Sequence, residues 1–243
     1  MADDEQMSLG ELVKAFVDDP AYASGERAVP RAVSPEEALQ VLDGIFSGCN
    51  ASDEHVPGLA KSAGHEIACE RACASYCCEE LVLVSMTEAL AVAAAIAKLD
   101  DEVRERCVAR LKSWVEKWGH RAQAGADALE AAQQDNFDRI SRGHALERQM
   151  CPLRDPSGCV VYESRPLSCR KVWVADTAEH CRATTKRDAP RALLLTHPNL
   201  DSLYERAELA TRGVQAALGL GTKLYPLPVA VLGALDAPVP ESA

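Results

Sequence analysis

The stretch Cys69-Glu70-Arg71-Ala72-Cys73-Ala74-Ser75-Tyr76-Cys77-Cys78 carries four thiols within ten residues. A single cysteine is usually a small buried apolar residue, but four in so short a run are hard to explain as core. An adjacent Cys77–Cys78 disulfide would be strained. The stretch therefore predicts metal binding, and redox chemistry of thiols without a metal is the alternative.

The spacing of the first three of these cysteines, Cys69, Cys73 and Cys77, is four residues. On an α-helix this spacing places three thiols along one face, and His65 continues the same series one turn earlier. Cys78 would point nearly opposite Cys69 in an unbroken helix. Either the helix breaks before Cys77 or Cys78 serves another site.

A second set of cysteines lies far downstream, at Cys151, Cys159 and Cys169. We expect both sets to form one metal site, because a helical segment between them can bring them together. Thiolate ligands suit zinc and iron–sulfur centres equally well, so the spacing does not choose between these metals. The seven cysteines exceed one tetrahedral zinc, which leaves either two ions with bridging thiolates or one centre with spare thiols.

Three further cysteines lie outside the two sets. Cys49 and Cys107 are interpreted as buried core residues, and Cys107 falls within an apolar helical stripe. Cys181, with His180 beside it, is an additional candidate ligand.

The first cluster, together with the pattern C-P-L…G-C-x-x-Y-x-x-R-P-x-x-C-R over Cys151–Arg170, resembles the YkgJ-type proteins. This zinc- or iron-chelating family is named for a C-x-x-C-x-x-C-C signature. The resemblance covers about residues 65–175 and implies a small helical protein that is often labelled iron–sulfur or metal-binding, mostly without an assigned reaction. A related cysteine pattern occurs in flagellin lysine N-methylases. The first cluster departs from the signature by placing three residues between its early cysteines.

The resemblance carries over to individual positions of this sequence. The metal ligands that it implies are Cys69, Cys73, Cys77, Cys78, Cys151, Cys159 and Cys169, and the matching positions that are not cysteines are Tyr162, Arg165, Pro166 and Arg170. Arg165 and Arg170 can donate charge-assisted hydrogen bonds that offset several thiolates. Tyr162 can hydrogen-bond a sulfur or simply pack, and Pro166 stiffens the turn between the two arginines.

The chain has 243 residues, ten cysteines and a formal net charge of -11. This length suffices for a core without covalent cross-links, and the negative charge disfavours binding to nucleic acid or to an anionic membrane. The acidic start Met1–Gln6 has no secretory pattern, and no apolar run is long enough to span a membrane. We therefore expect a cytoplasmic protein, where clustered thiols more often hold metals than form disulfides.

The remaining sequence predicts a mainly α fold, a helical domain with a cysteine-rich irregular metal-binding segment. Helices are predicted after Ser8, from Ser34 to a stop at Gly48, and after Ser85. Further helices are predicted at the following places: from Asp100 to near Gly119, from about Ala124 to Leu146, and after Asp201 to Gly219. Leu81–Val84 fits a short strand or the apolar wall of the site. The tail is apolar from Pro226 through Leu235 and then proline-rich.

We divide the chain into a helical arm over 1–64, a cysteine-rich zinc- or iron-chelating domain over 65–182, and a C-terminal helix and tail over 183–243 that pack on the same domain. The leading hypothesis is a metal-binding protein that coordinates zinc or iron, with an iron–sulfur cluster as one form of the latter. The alternative is an iron-dependent enzyme that performs redox chemistry or modifies a peptide or small molecule. A metal carrier or sensor is a third interpretation, and a protein or peptide partner stays unidentified.

Overall fold

A computed structural model describes residue 11 and residues 34–67, 76–171, 173–176 and 198–236. Within these ranges the chain is mainly helical, which confirms the predicted fold class at this level. Of the helix predicted after Ser8, only Glu11 is described, and it is helical; the candidate ligand Cys181 lies outside the described residues. None of the described helices is long and apolar enough to cross a membrane.

The described elements are helices linked by turns, together with one short hairpin and one pairing of two strands that are distant in sequence. The α-helices are α1 (Pro35–Asp53), α2 (Val56–Ser62), α3 (Met86–Ala97), α4 (Asp101–Trp114), α5 (His120–Glu130), α6 (Gln134–Leu146), α7 (Leu167–Arg170), α8 (Pro198–Ala217) and α9 (Leu227–Asp236). The 3₁₀ helices are Tyr76–Glu79 and Tyr162–Ser164, and a π-helical turn covers Val115–Gly119. The strands are β1 (Leu83–Val84), β2 (Arg154–Asp155), β3 (Gly158–Cys159) and β4 (Tyr225–Pro226), paired antiparallel as β1 with β4 and β2 with β3.

Local chemistry starts two of the helices where the sequence predicts. Ser34 caps α1 and Ser85 caps α3, and in each case the glutamate three residues later completes a capping box. The serine oxygen accepts the glutamate's amide hydrogen while the glutamate accepts the serine's, so two otherwise unpaired N–H groups are satisfied at each start.

Helix α3 is the centre of the packing. It contacts α1 and α8 on one side and α9 and α4 on the other. Alanines and short aliphatic residues cover most of its surface, and Ala89, Val92 and Ile96 are fully buried. A helix that is apolar nearly all round must be enclosed by other elements, and its small side chains allow neighbouring helices to approach closely.

Four predicted boundaries are wrong. α8 begins at Pro198, before the predicted start at Asp201. α1 continues past Gly48 to Asp53, because Cys49 and Asp53 extend its buried face. The helix that starts at Asp101 does not end at Gly119, since the π-helical turn joins α4 directly to α5. The helix predicted from Ala124 to Leu146 is two helices, separated at a break that contains Ala132 with φ of 56°.

The apolar part of the tail was predicted only as an apolar segment, and it folds as α9 against α3. Leu227, Ala230 and Val231 join the core cluster that surrounds Ile96 and Cys107. The paired strand β1 resolves the ambiguity at Leu81–Val84, because β4 lies directly before α9 and supplies its partner.

The Glu88 carboxylate caps the start of α3 and also joins this helix to the second cysteine motif. One oxygen accepts from the amide and hydroxyl of Ser85 at 2.9 and 2.8 Å, and the other accepts from the Leu167 amide at 3.0 Å. We expect Glu88→Ala to lower the free energy of unfolding by about 2–4 kcal/mol, since it removes a cap and leaves a buried N–H unpaired. Urea denaturation followed by circular dichroism measures this change.

Glu37 provides the matched control, because it completes the same capping box at the protein surface. Glu37→Ala should cost about 1 kcal/mol or less. Equal losses for the two variants would show that the link from Glu88 to Leu167 adds nothing.

Candidate metal centre

Two backbone contacts hold the first cysteine motif against the second. On one side, the Cys151 amide donates to the Cys78 carbonyl at 2.6 Å. On the other, Ile67 pairs with Ala175 in an antiparallel bridge, and the Asp176 amide donates to the Glu66 carbonyl at 2.7 Å. The segment that carries the first motif therefore leaves and rejoins the described structure beside the second.

The second motif begins as a tight hairpin. Arg154 pairs with Cys159 and Asp155 with Gly158. The Asp155 carboxylate accepts from the amide and hydroxyl of Ser157 at 2.8 and 2.6 Å, an arrangement that stabilises a turn. Gly158 has φ of 123°, a conformation open to glycine and strained for other residues. The glycine before Cys159 therefore sets the hairpin that positions this cysteine.

The sulfur of Cys151 lies in an apolar environment beside other thiols. Cys151 packs with Cys159 against the core cluster that contains Cys107. Desolvation raises the pKa of the Cys151 thiol well above its usual range, and Cys169, Cys159 and Cys107 shift it in the same direction. A thiolate at this position therefore needs a nearby cation. Cys107 is fully buried as predicted, and its pKa is also raised by desolvation.

Only part of the predicted ligand set falls within the described residues. Cys78, Cys151, Cys159 and Cys169 are described, whereas Cys69, Cys73 and the side chain of Cys77 are not. Among the residues that the structure describes, no three His, Cys, Asp or Glu side chains are close enough together to hold an ion. A metal centre with ligands from both motifs would thus need at least one of Cys69, Cys73 and Cys77 as a ligand.

His65 does not continue an α-helical series toward the cysteines, because residues 65–67 are not helical and Ile67 pairs with the chain after the second motif. Cys77 and Cys78 lie in a 3₁₀ helix, which agrees with the alternative that an α-helix does not extend through Cys77. His65 donates from Nδ1 to Asp176 Oδ2 at 3.0 Å, and the same carboxylate accepts from the Glu66 amide at 3.2 Å. This histidine therefore has a carboxylate partner that stabilises the bridge.

The predicted arginines surround a buried carboxylate on α1. Arg165 Nη2 and Arg170 Nη1 both donate to Asp53 Oδ2, at 2.8 and 2.9 Å, and the Tyr204 hydroxyl donates to Oδ1. Arg170 is completely buried, and it also donates to Asn50 Oδ1 and to the carbonyls of residues 163 and 165. Arg170 thus donates its hydrogen bonds within this network and not to the thiols.

Arg165 has fewer hydrogen-bond partners than Arg170. Its guanidinium lies 3.8 Å from the centre of the Tyr162 ring, so the tyrosine packs against the cation. Its Nε and Nη1 atoms are buried and have no hydrogen-bond partner. The network contains two guanidinium groups and one carboxylate, Asp53. Two donors and one positive charge are therefore in excess at this point of the described structure.

Another buried polar residue positions the 3₁₀ helix that carries Cys78. His144 donates from Nδ1 to the Glu79 carbonyl at 2.7 Å. Its ring lies against the rings of Trp114 and Trp118, with centroid distances of 5.6 and 5.1 Å. Desolvation lowers the pKa of His144, so the imidazole stays neutral in the folded protein.

Sequence reasoning missed Asp53, Tyr204 and His144. A signal existed for Asp53, because it continues the buried helical series Leu42, Phe46 and Cys49 at the same spacing. A carboxylate on the apolar face of a helix predicts a buried cationic partner. Nothing in the local sequence of His144 or Tyr204 distinguishes them from surface residues.

No protein-family model matches the chain, and neither the characterised proteins nor the solved structures contain a match. The resemblance to YkgJ-type proteins therefore remains a prediction from the motifs alone.

The two arginines make Asp53 the residue of this network most sensitive to substitution. Asp53→Asn keeps the shape but removes the charge, which leaves two buried guanidinium groups without a carboxylate. We expect the free energy of unfolding to fall by about 3–5 kcal/mol, measured by urea denaturation. Asp43→Asn, on the exposed face of the same helix, should change it by less than about 0.5 kcal/mol. If the Asp53→Asn protein were as stable as the Asp43→Asn protein, this account would be contradicted.

The buried His144 should make the folded protein less stable at acidic pH. Because its pKa is lowered in the folded state, the unfolded chain takes up the proton first, and stability falls as the pH drops below about 6.5. His144→Asn keeps an N–H donor near the position of Nδ1 but cannot titrate. Urea denaturation at several pH values should show a shallower acid loss for this variant than for the unmodified protein.

The exposed His120 supplies the control. His120→Asn should leave the pH dependence of stability unchanged. If both histidine variants retain the full acid loss, His144 is not its source.

Proposed function

We propose that the protein binds zinc or iron through thiols drawn from both cysteine motifs. The observation that carries the proposal is the pair of backbone contacts, Cys151 to Cys78 and Ile67 to Ala175, which bracket the first motif beside the second. Two thiol-rich segments that meet at these contacts would form a donor set that suits zinc or an iron–sulfur centre.

Chain connectivity supports the participation of cysteines outside the described set. Cys69 is two residues from Ile67, so their Cα atoms lie within about 8 Å of each other. Cys77 directly precedes Cys78, whose carbonyl accepts from Cys151. Both cysteines are therefore close in sequence to residues that contact the chain at or just after the second motif.

Charge also favours a centre that holds thiolates. Arg165 retains two buried donors without partners, and its network with Arg170 and Asp53 has one positive charge in excess. Buried charge is stable when it is balanced, and several thiolates on one ion carry net negative charge. A bound cation would in turn stabilise the Cys151 thiolate and so offset the desolvation that raises the pKa of this thiol.

The metal would stabilise the irregular second motif in the way that structural zinc stabilises small domains. In this role thiols among Cys78, Cys151, Cys159 and Cys169 would bind metal together with thiols of Cys69, Cys73 or Cys77, since no three of the described side chains are close enough to hold an ion by themselves. Arg165 would balance the charge of the thiolates. An iron–sulfur centre would add electron transfer to this structural role.

Elemental analysis of protein purified without oxygen tests the proposal. We expect about one or more metal ions per chain. A colourless zinc protein would support a structural or carrier role, and iron with sulfide and absorption near about 400 nm would support a redox role. Cys151→Ser should lose most of the metal, because it removes a ligand at the point where the motifs meet.

Cys49→Ala is the matched control, since Cys49 belongs to neither cysteine motif and is buried in a different core cluster from the one that Cys151 packs against, and this variant should keep the metal. Thiol alkylation gives a second measurement: motif cysteines should react only after a chelator is added. Unmodified protein with neither zinc nor iron, or a folded Cys151→Ser protein with full metal content, would refute the proposal.

A further inference from the structure

A cleft of about 370 Å³ lies between one face of α8 and the start of α3. Four of its lining residues, Glu208, Thr211, Arg212 and Gln215, recur on α8 at helical spacing and therefore share one face. Leu167 and Ser168, which precede Cys169 in the second motif, form another part of the wall. The volume is within the range of small-molecule sites.

Most of the charged groups in this cleft already have partners. The Glu88 carboxylate accepts from Ser85 and from the Leu167 amide. Glu208 forms an ion pair with Lys171. Arg212, in contrast, is exposed and has no carboxylate partner in the part of the chain that the structure describes. It is a cation available to an incoming anion.

Gln215 provides an unused acceptor one helical turn from Arg212. The residue is 2% exposed, and its Nε2 donates to the Gly221 carbonyl, whereas its Oε1 is buried without a partner. An unpaired buried acceptor is unfavourable, so a ligand that donates to it would be favoured. Cβ atoms three residues apart on a helix are about 5–6 Å from each other, so the longer Arg212 and Gln215 side chains can converge on one small ligand.

We propose that this cleft binds a small aliphatic carboxylate that carries a hydroxyl or amino group on the carbon next to the carboxylate. The carboxylate would pair with Arg212, and the adjacent donor would hydrogen-bond Gln215 Oε1. Leu83, Leu167 and Leu224 line the same cleft, and the Leu224 side chain is 38% exposed, so a short aliphatic chain has an apolar surface to cover. This site is independent of the metal proposal.

Titration calorimetry with three matched acids tests the proposal on the full-length protein as purified. The acids are 2-hydroxy-4-methylpentanoate, leucine and 4-methylpentanoate, which share a carbon skeleton and differ in the donor. For ligands of this size we expect a Kd on the order of 1 mM for at least one donor-bearing acid. The acid without a donor should bind about 3- to 10-fold more weakly, since it leaves Oε1 unpaired.

Substitutions then separate the two contacts. Arg212→Gln should weaken binding of the donor-bearing acid about tenfold or more, whereas Arg206→Gln, at an exposed position on the same helix outside the cleft, should leave it unchanged. Gln215→Met keeps the size of the side chain and should abolish the preference for the donor-bearing acids.

The opposite results would overturn the proposal. These are the absence of saturable binding of either donor-bearing acid up to about 10 mM, a range well above the expected Kd, or binding that Arg212→Gln leaves unchanged. Equal affinity of all three acids for the unmodified protein would overturn the role of Gln215 and with it the proposed ligand class.

Discussion

The buried carboxylate of Asp53 joins three parts of the chain that lie far apart in sequence. Its partners Arg165 and Tyr204 are 112 and 151 residues away. A carboxylate removed from water is stable only if cations and donors replace the lost hydration. Both oxygens of Asp53 are occupied, one by Arg165 and Arg170 and the other by Tyr204. The end of α1, the face of α8 and the second cysteine motif are thereby held at one point.

This network matters because only single buried residues, such as Leu153, Val161 and Leu167, otherwise anchor the second motif in the core. Residues 151–171 contain one short hairpin and brief helical turns, and they lack the long apolar faces by which α3 and α9 pack. Ion pairs, hydrogen bonds and the backbone contacts to Cys78 and Ile67 therefore position this segment. Each of these contacts depends on geometry, so a bound metal that adds further fixed bonds would reinforce the same arrangement.

Two of the described residues with unpartnered buried polar atoms are Arg165, in the second motif, and Gln215, in the cleft beside it. Arg165 has two such donors, and Gln215 has one such acceptor in the cleft that Leu167 and Ser168 help to line. Folded proteins satisfy most of their buried polar atoms, so these atoms indicate where ligands are expected. The Arg165 donors lie in the network of the second motif and favour a negatively charged centre, while Gln215 and Arg212 favour a separate organic acid.

The sequence by itself determined the helical class and the starts of α1 and α3, because capping boxes and helical spacing act over three or four residues. It also indicated two thiol-rich motifs. It did not determine where α1 ends, that the tail forms α9, or that Arg170 binds Asp53, because each of these depends on what covers a surface from elsewhere in the chain. Only the tertiary structure decided them, since burial and ion pairing between distant residues leave no local pattern to read.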